Sequence, residues 1–278
     1  MTSIIDPEEN FDAPKIMGII NLSPDSFYPG SRAPSVHAAL MVAERMIEEG
    51  ADYLDVGAES SRPGSKPISE EEELAIILPF VSQLCKNFSI PISVDTYKPG
   101  VAQKVLEEGV SIINDINGLR YPEMASIIAE YGAGVVIMHM RGSPEHMQED
   151  LHYDDCVSEI KTFLGRGIQT ALSTGIASDR IWVDPGIGFG KTVEHNLEIL
   201  AHLDSFASLQ KPILLGTSRK SFIGKILDLP VAERLEGSLA TAVIAVMKGA
   251  RILRVHDVQE TYRAIRIASE ILKVQNGK

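Results

Sequence analysis

A chain of 278 residues with 26 lysines and arginines against 38 aspartates and glutamates carries a formal charge of −12. That balance excludes a protein whose work is nonspecific nucleic-acid binding, which rests on cations facing phosphate. The two cysteines show no metal or redox spacing and fit a reducing cytoplasm, no apolar run nears membrane-spanning length, and 278 residues suit one undivided α/β domain.

The first residues, MTSIIDPEENFDAP, are acidic where an export signal would be basic. Residues 1–14 are expected to form a flexible arm ahead of a domain over 15–275. The first predicted strand, KIMGIIN, ends on Asn21, and a Gly-, Pro- and Ser-rich loop, SPDSFYPGSRAPS, leads to a helix over 36–49. DYLDVG carries Asp55 and opens a similar loop, AESSRPGSKPISEEE. There Ser69 and the acids at 70–73 read as the cap and dipole-matched first turn of a helix over 71–87. PISVD ends on Asp95, SIIND on Asn114 and Asp115, and GVVIMH on His139.

Beyond it, His139, His146 and His152 lack the H-E-x-x-H spacing of a helical zinc site, and a helix is predicted over 156–173. RIWVD ends on Asp184 and opens DPGIGFGKT. The latter imitates a phosphate-binding loop, but the G-x-x-x-x-G-K-[ST] pattern needs glycine where Pro185 stands. Lys191 and Thr192 are read as opening the next helix, over 194–203. PILLG runs into GTSRKSF, a helix over 235–248 precedes RILRVH, and a last helix covers 258–274.

Eight short, mostly apolar strands alternating with helices predict a parallel sheet buried on both faces. The count points to a single-domain (β/α)8 TIM barrel, with a doubly wound sheet as the alternative. Turn chemistry explains any one Asp or Asn at a strand end, but not so many together. In a barrel these ends converge on the face where active sites lie.

NLSPDSF, DVGAESSRPGS, SVDTYKP, INDINGL, DPGIGFGK, GTSRKSFIG and RVHD occur in that order. Together they closely resemble the dihydropteroate synthases, a barrel family of folate biosynthesis, from about Lys15 to the last helix. The resemblance implies a transferase that joins 6-hydroxymethyl-7,8-dihydropterin diphosphate to p-aminobenzoate, giving 7,8-dihydropteroate and pyrophosphate. It also implies a homodimer, Mg2+ held with the diphosphate, and sulfonamides competing for the p-aminobenzoate position.

Carried over by resemblance, Asp95, Asn114, Met138, Asp184, Phe189 and Lys220 bind the pterin. Asn21, Ser61, Arg62, Arg254 and His256 bind the diphosphate, Asn21 doubling as the magnesium-associated residue. Phe27, Pro63, Phe189, Lys220 and Ser221 meet p-aminobenzoate, and Lys220, Asp95, Arg254 and His256 carry catalysis. The chemistry agrees with these residue types. A pterin edge offers N–H donors, each costing about 1–3 kcal/mol if buried unpaired, and carboxylates and amides accept them. Magnesium commonly takes one or two protein oxygens besides phosphate and water.

An arylamine is a free nucleophile near neutral pH, so the absence of a Ser-His-Asp or Cys-His signature is consistent, and no covalent enzyme intermediate is expected. Two departures bear on sulfonamide response. Ser61 stands where many members carry Thr, and FYPGS replaces the commoner first-loop sequence. A pterin-dependent methyltransferase domain and a silent pterin-binding subunit are the rival readings. SRKSF and RVH weigh against the first, because a methyl donor needs no pyrophosphate site.

Overall fold

The computed structural model describes residues 14–22, 35–60, 64–147, 149 and 151–275. Its strands are β1 (Lys15–Asn21), β2 (Tyr53–Gly57), β3 (Ile92–Asp95), β4 (Ile112–Asp115), β5 (Gly134–Met138), β6 (Ile181–Asp184), β7 (Ile213–Leu215) and β8 (Ala250–Val255). Each pairs in parallel with the next, and β8 closes onto β1 through Met17↔Arg254 and its neighbours. That closure makes the chain the (β/α)8 barrel read from its sequence and excludes the doubly wound sheet.

The helices among the described residues are α1 (Val36–Glu48), α2 (Glu70–Asn87), α3 (Pro99–Glu107), α4 (Pro122–Glu130), α5 (Cys156–Thr174), α6 (Val193–Ala201), α7 (Ser221–Leu227), α8 (Leu235–Met247) and α9 (Val258–Gln275). Six match the predicted helices to within two residues at each end. The other three, α3, α4 and α7, run for only nine, nine and seven residues. The α2 start is a capping box: Ser69 accepts from Glu72 N while Glu72 accepts from Ser69 N.

Side chains alternate along each strand, and that alternation builds two cores. Outward residues such as Ile16, Leu54, Val94, Ile113, Val135, Val183 and Leu253 join the helices in one continuous apolar layer. Inward residues Met17, Tyr53, Ile112, Val136, Trp182, Leu214 and Ile252 form a separate plug inside the barrel. Within it the Tyr53 and Trp182 rings meet edge to face at 5.2 Å. The plug fills the lower barrel and leaves the next inward residues to face the mouth.

Candidate active site

Two residues beyond the plug on alternate strands, the lining turns polar. From β2, β4, β6 and β8 come Asp55, Asn114, Asp184 and Arg254, and Ser93 pairs in register with Asp55. One step higher stand Asn21, Gly57, Asp95 and His256. Gly57 pairs with Asn21 on one side and Asp95 on the other. A Cβ there would lie 3.6 Å from the Asp95 Cβ and 3.9 Å from Asn21 Oδ1, so both side chains border the space it leaves.

A cavity of about 150 Å³ opens at this end, its walls including Asn21, Asp95, Phe189, Lys220, Arg254 and His256. Ser221, at the start of α7, also lines it. Asn114, Met138 and Asp184 lie beneath, each at most 4 % exposed. Phe27, Ser61, Arg62 and Pro63, expected from the two loops, lie outside the described residues.

Arg254 occupies the centre of the charge pattern. Its Nε donates to Asp55 Oδ2 at 2.6 Å and Nη2 to Asp95 Oδ2 at 2.7 Å. The guanidinium, expected to face a diphosphate, is thus also anchored by two carboxylates. Asp55 accepts further bonds from Ser93 Oγ at 2.6 Å and Asn114 Nδ2 at 3.5 Å. One cation serving two acids leaves Asp95 short of compensation: desolvation pushes it up to about 7, with Arg254 opposing and Asp55 adding. Burial would lower Arg254, but Asp55 and Asp95 hold it above its ordinary value.

The glycine-rich motif forms the opposite wall. Asp184 Oδ1 accepts from Gly186 N at 2.7 Å, and burial raises this carboxyl while Lys220 opposes the shift. Gly186, Gly188 and Gly190 all take positive φ. Gly186 is required twice over, since a Cβ would also fall 1.9 Å from the His139 carbonyl oxygen. Lys220 Nζ donates to Ile187 O at 2.5 Å and stands 4.7 Å from the Phe189 ring centroid. Burial lowers its pKa to about 8.

Between Ser218 and Lys220 the chain passes through Arg219, a left-handed non-glycine residue at φ 54°. Its side chain holds Asp257 with two bonds of 2.8 Å and donates to the carbonyls of Val231 and Ala232. On its other side, Ser218 Oγ accepts from His256 N at 3.2 Å and lies 3.0 Å from His256 Nδ1.

Several residues here had no predicted role: Asp55, Ser93, Ser218, Arg219 and Met147. Asp55 and Ser93 were detectable by counting back two from Gly57 and Asp95 along the inward face. Met147 packs with Ile116, Met138, Met140 and Phe189 and reaches the site from a long loop whose sequence gives no period to follow. Two expectations are corrected. Thr192 does cap α6, accepting from His195 N, but Lys191 is buried beneath the site at 4 % exposure. Glu73, read as part of a dipole-facing run, is 1 % exposed and pairs with Lys98 at 2.6 Å; Lys98 also bonds Glu59 at the cavity wall.

The sequence profile of the pterin binding enzymes matches residues 17–256. The dihydropteroate synthase of Escherichia coli K12 is 44 % identical over 265 residues, covering 95 % of this chain and 94 % of that protein. This chain belongs to the dihydropteroate synthases. A crystal structure of the Yersinia pestis dihydropteroate synthase with a sulfonamide drug superposes with a TM-score of 0.92 at 41 % identity, covering 95 % and 96 % of the two chains. The Xanthomonas albilineans dihydropteroate synthase with 4-aminobenzoic acid gives 0.87 at 40 % identity and 94 % coverage of both. The activity is therefore that of a dihydropteroate synthase, and the methyltransferase reading is set aside.

Among the described residues, no three His, Cys, Asp or Glu side chains form a metal cluster. The Asn21 amide oxygen at the cavity wall suits instead an ion brought in with a diphosphate and its waters. Nor is any described helix long and apolar enough to cross a membrane.

Proposed function

We propose that the dihydropteroate synthase reaction runs at this barrel mouth by loss of pyrophosphate followed by arylamine attack, with roles divided as the resemblance implies. The observation that carries the pterin site is Asn114. Its Oδ1 is buried without a hydrogen-bond partner among the described residues, while its Nδ2 side is oriented by Asp55. A buried acceptor left unpaired is costly, and a ring N–H would satisfy it. Asp95 and Asp184 supply carboxylates for the other donors of the pterin edge, and Met138 and Phe189 its apolar walls.

Asn21, Arg254 and His256, with Ser61 and Arg62 from the second loop, take the diphosphate. Asn21 would hold Mg2+, which supplies positive charge to the leaving group when bound. The methylene–oxygen bond breaks with its electron pair going to pyrophosphate, and the pterin delocalises the resulting cation. Asp95 and Asp184 stabilise that cation electrostatically. The p-aminobenzoate nitrogen, held by Lys220, Ser221 and Phe189 with Phe27 and Pro63, then forms the new carbon–nitrogen bond and releases a proton to solvent. Loop closure over this step keeps water from the cation.

We further assign the protein to the cytoplasm, a reading supported by two unbonded cysteines, and to a homodimer, argued below. The deciding experiment combines purified protein, magnesium, the pterin diphosphate and labelled p-aminobenzoate. Labelled dihydropteroate and pyrophosphate in equal amounts are expected; absence of both with authentic substrates overturns the proposal.

A further inference from the structure

Lys191 ends the motif DPGIGFGK and has no part in the reaction above, yet it is almost wholly buried. Its Nζ meets His139 Nδ1 at 2.9 Å, Phe189 O at 2.9 Å and, more weakly, His139 O at 3.4 Å. An ammonium has three donors, and these are three acceptors, provided His139 carries its proton on Nε2. The imidazole is kept neutral: burial, with Lys191 and Arg120 adding, pushes its pKa down to about 2. Burial also lowers Lys191 to about 7, with Cys156 and then Asp184 opposing the fall.

A helix start does not explain so costly a placement, because Thr192 already caps α6 with its own hydroxyl. The partners of Lys191 do suggest an explanation. His139 is itself fixed: its N–H donates to Asp184 O at 2.9 Å, its carbonyl lies against Gly186, and its ring meets Phe163 edge-on at 5.0 Å. The glycine-rich loop is held at three carbonyls, Ile187 by Lys220, Phe189 by Lys191 and Gly190 by the Tyr153 hydroxyl. Between Asp184 and Lys191 every second residue from Gly186 is a glycine with positive φ, so the backbone has little stiffness of its own. Lys191 anchors the one residue of this loop whose ring lines the substrate cavity.

We infer that Lys191 and His139 form a clasp that positions the Phe189 wall for p-aminobenzoate, with Lys191 acting through the Phe189 carbonyl. Lys191 is thereby a positioning residue, and this role rests on the dihydropteroate synthase reading of the site. Loss of the clasp lets the wall shift and weakens substrate binding, while the groups facing the breaking bond stay in place.

Three variants, Lys191→Met, His139→Leu and His139→Asn, test it by steady-state kinetics with both substrates, folding being checked by circular dichroism. Lys191→Met and His139→Leu should raise KM for p-aminobenzoate about tenfold or more, with kcat within about threefold of wild type. His139→Asn returns an acceptor near the Nδ1 position and should stay within about threefold in both constants. A merely structural role predicts lower melting temperatures with unchanged KM and no rescue by asparagine. A folded Lys191→Met with wild-type KM overturns the clasp, as does His139→Asn matching His139→Leu. If Lys191→Met does not fold, the two His139 variants decide. A wild type without turnover overturns the reaction and the clasp together, whereas an active wild type with indifferent variants overturns the clasp alone.

Discussion

Lys220 concentrates the conflict that buried charges bring to this site. It stands over an aromatic face, bonds a backbone carbonyl and balances Asp184, yet burial lowers its pKa to about 8. The protonated form is the one that donates to substrate and balances the carboxylate. As pH rises through about 8 that form is lost, so kcat/KM, which reports free-enzyme ionisations, should fall with an apparent pKa near 8. Lys220→Arg, whose guanidinium stays charged, should keep residual activity with a flat alkaline limb; a persisting limb near 8 would assign the ionisation elsewhere. Lys220→Ala and Arg254→Ala should each lower kcat/KM about a hundredfold or more, because each removes fixed positive charge from a dry site. His152 is exposed beside Asp154, so His152→Ala should lie within about twofold of wild type. Residue type, place and order make Lys220 and Arg254 legible in the sequence. The Asp55–Arg254–Asp95 chain is not, since its members lie 199 and 159 positions apart in sequence.

At the scale of elements, the strands were the most legible part of the chain, because each is a short apolar run stopped by a polar residue. Their inward and outward faces were less so. Runs such as SIIND or RIWVD are apolar on both faces, so no alternation marks which residue enters the barrel until one end is polar. The loop after β6 was misleading for a different reason: its glycines serve close backbone approach and positive φ, while a P-loop uses glycines to cradle phosphate. A pair of substitutions separates the two demands. Gly175 ends α5 at φ 102° with nothing within 4 Å of a new Cβ, so Gly175→Ala meets only the conformational penalty, about 1 kcal/mol. Gly186 has φ 71° and a Cβ position 1.9 Å from the His139 carbonyl oxygen, so Gly186→Ala must displace backbone as well. Its loss should be about 2–4 kcal/mol, read from urea unfolding midpoints at constant m-value. Equal losses for the two would mean that the β5 and β6 loops separate freely.

For the whole molecule, the site accounts for the barrel mouth and leaves an apolar surface on the last two helices unexplained. Ile267, Ile271 and Val274 follow one another at four- and three-residue steps along α9, at 65 %, 50 % and 78 % exposure. Ile244 and Met247 add a matching pair on neighbouring α8, at 46 % and 38 %. Single exposed apolar residues need no explanation, but a stripe carried on two packed helices in a chain of charge −12 does. A second copy offering the same stripe would cover it through a two-fold contact, in which each apolar row meets its own kind. Charge does not oppose such a contact: Glu270, which shares this side of α9 with Ile267 and Val274, is paired with Lys273 at 2.8 Å, so the stripe adds no unbalanced carboxylate to two acidic chains. The stripe also lies well down α9 from the site, Ile271 being about 20 Å along the helix from its first residue at 1.5 Å per residue. Assembly and catalysis should therefore separate. The double variant Ile267→Asp with Ile271→Asp should sediment as a monomer under conditions where the wild type sediments as a dimer. Its kcat per chain should remain within about threefold, since no group at the barrel mouth is touched. A wild type that is monomeric at tens of micromolar, or a double variant that stays dimeric, would remove α9 from the interface and leave the stripe to some other partner.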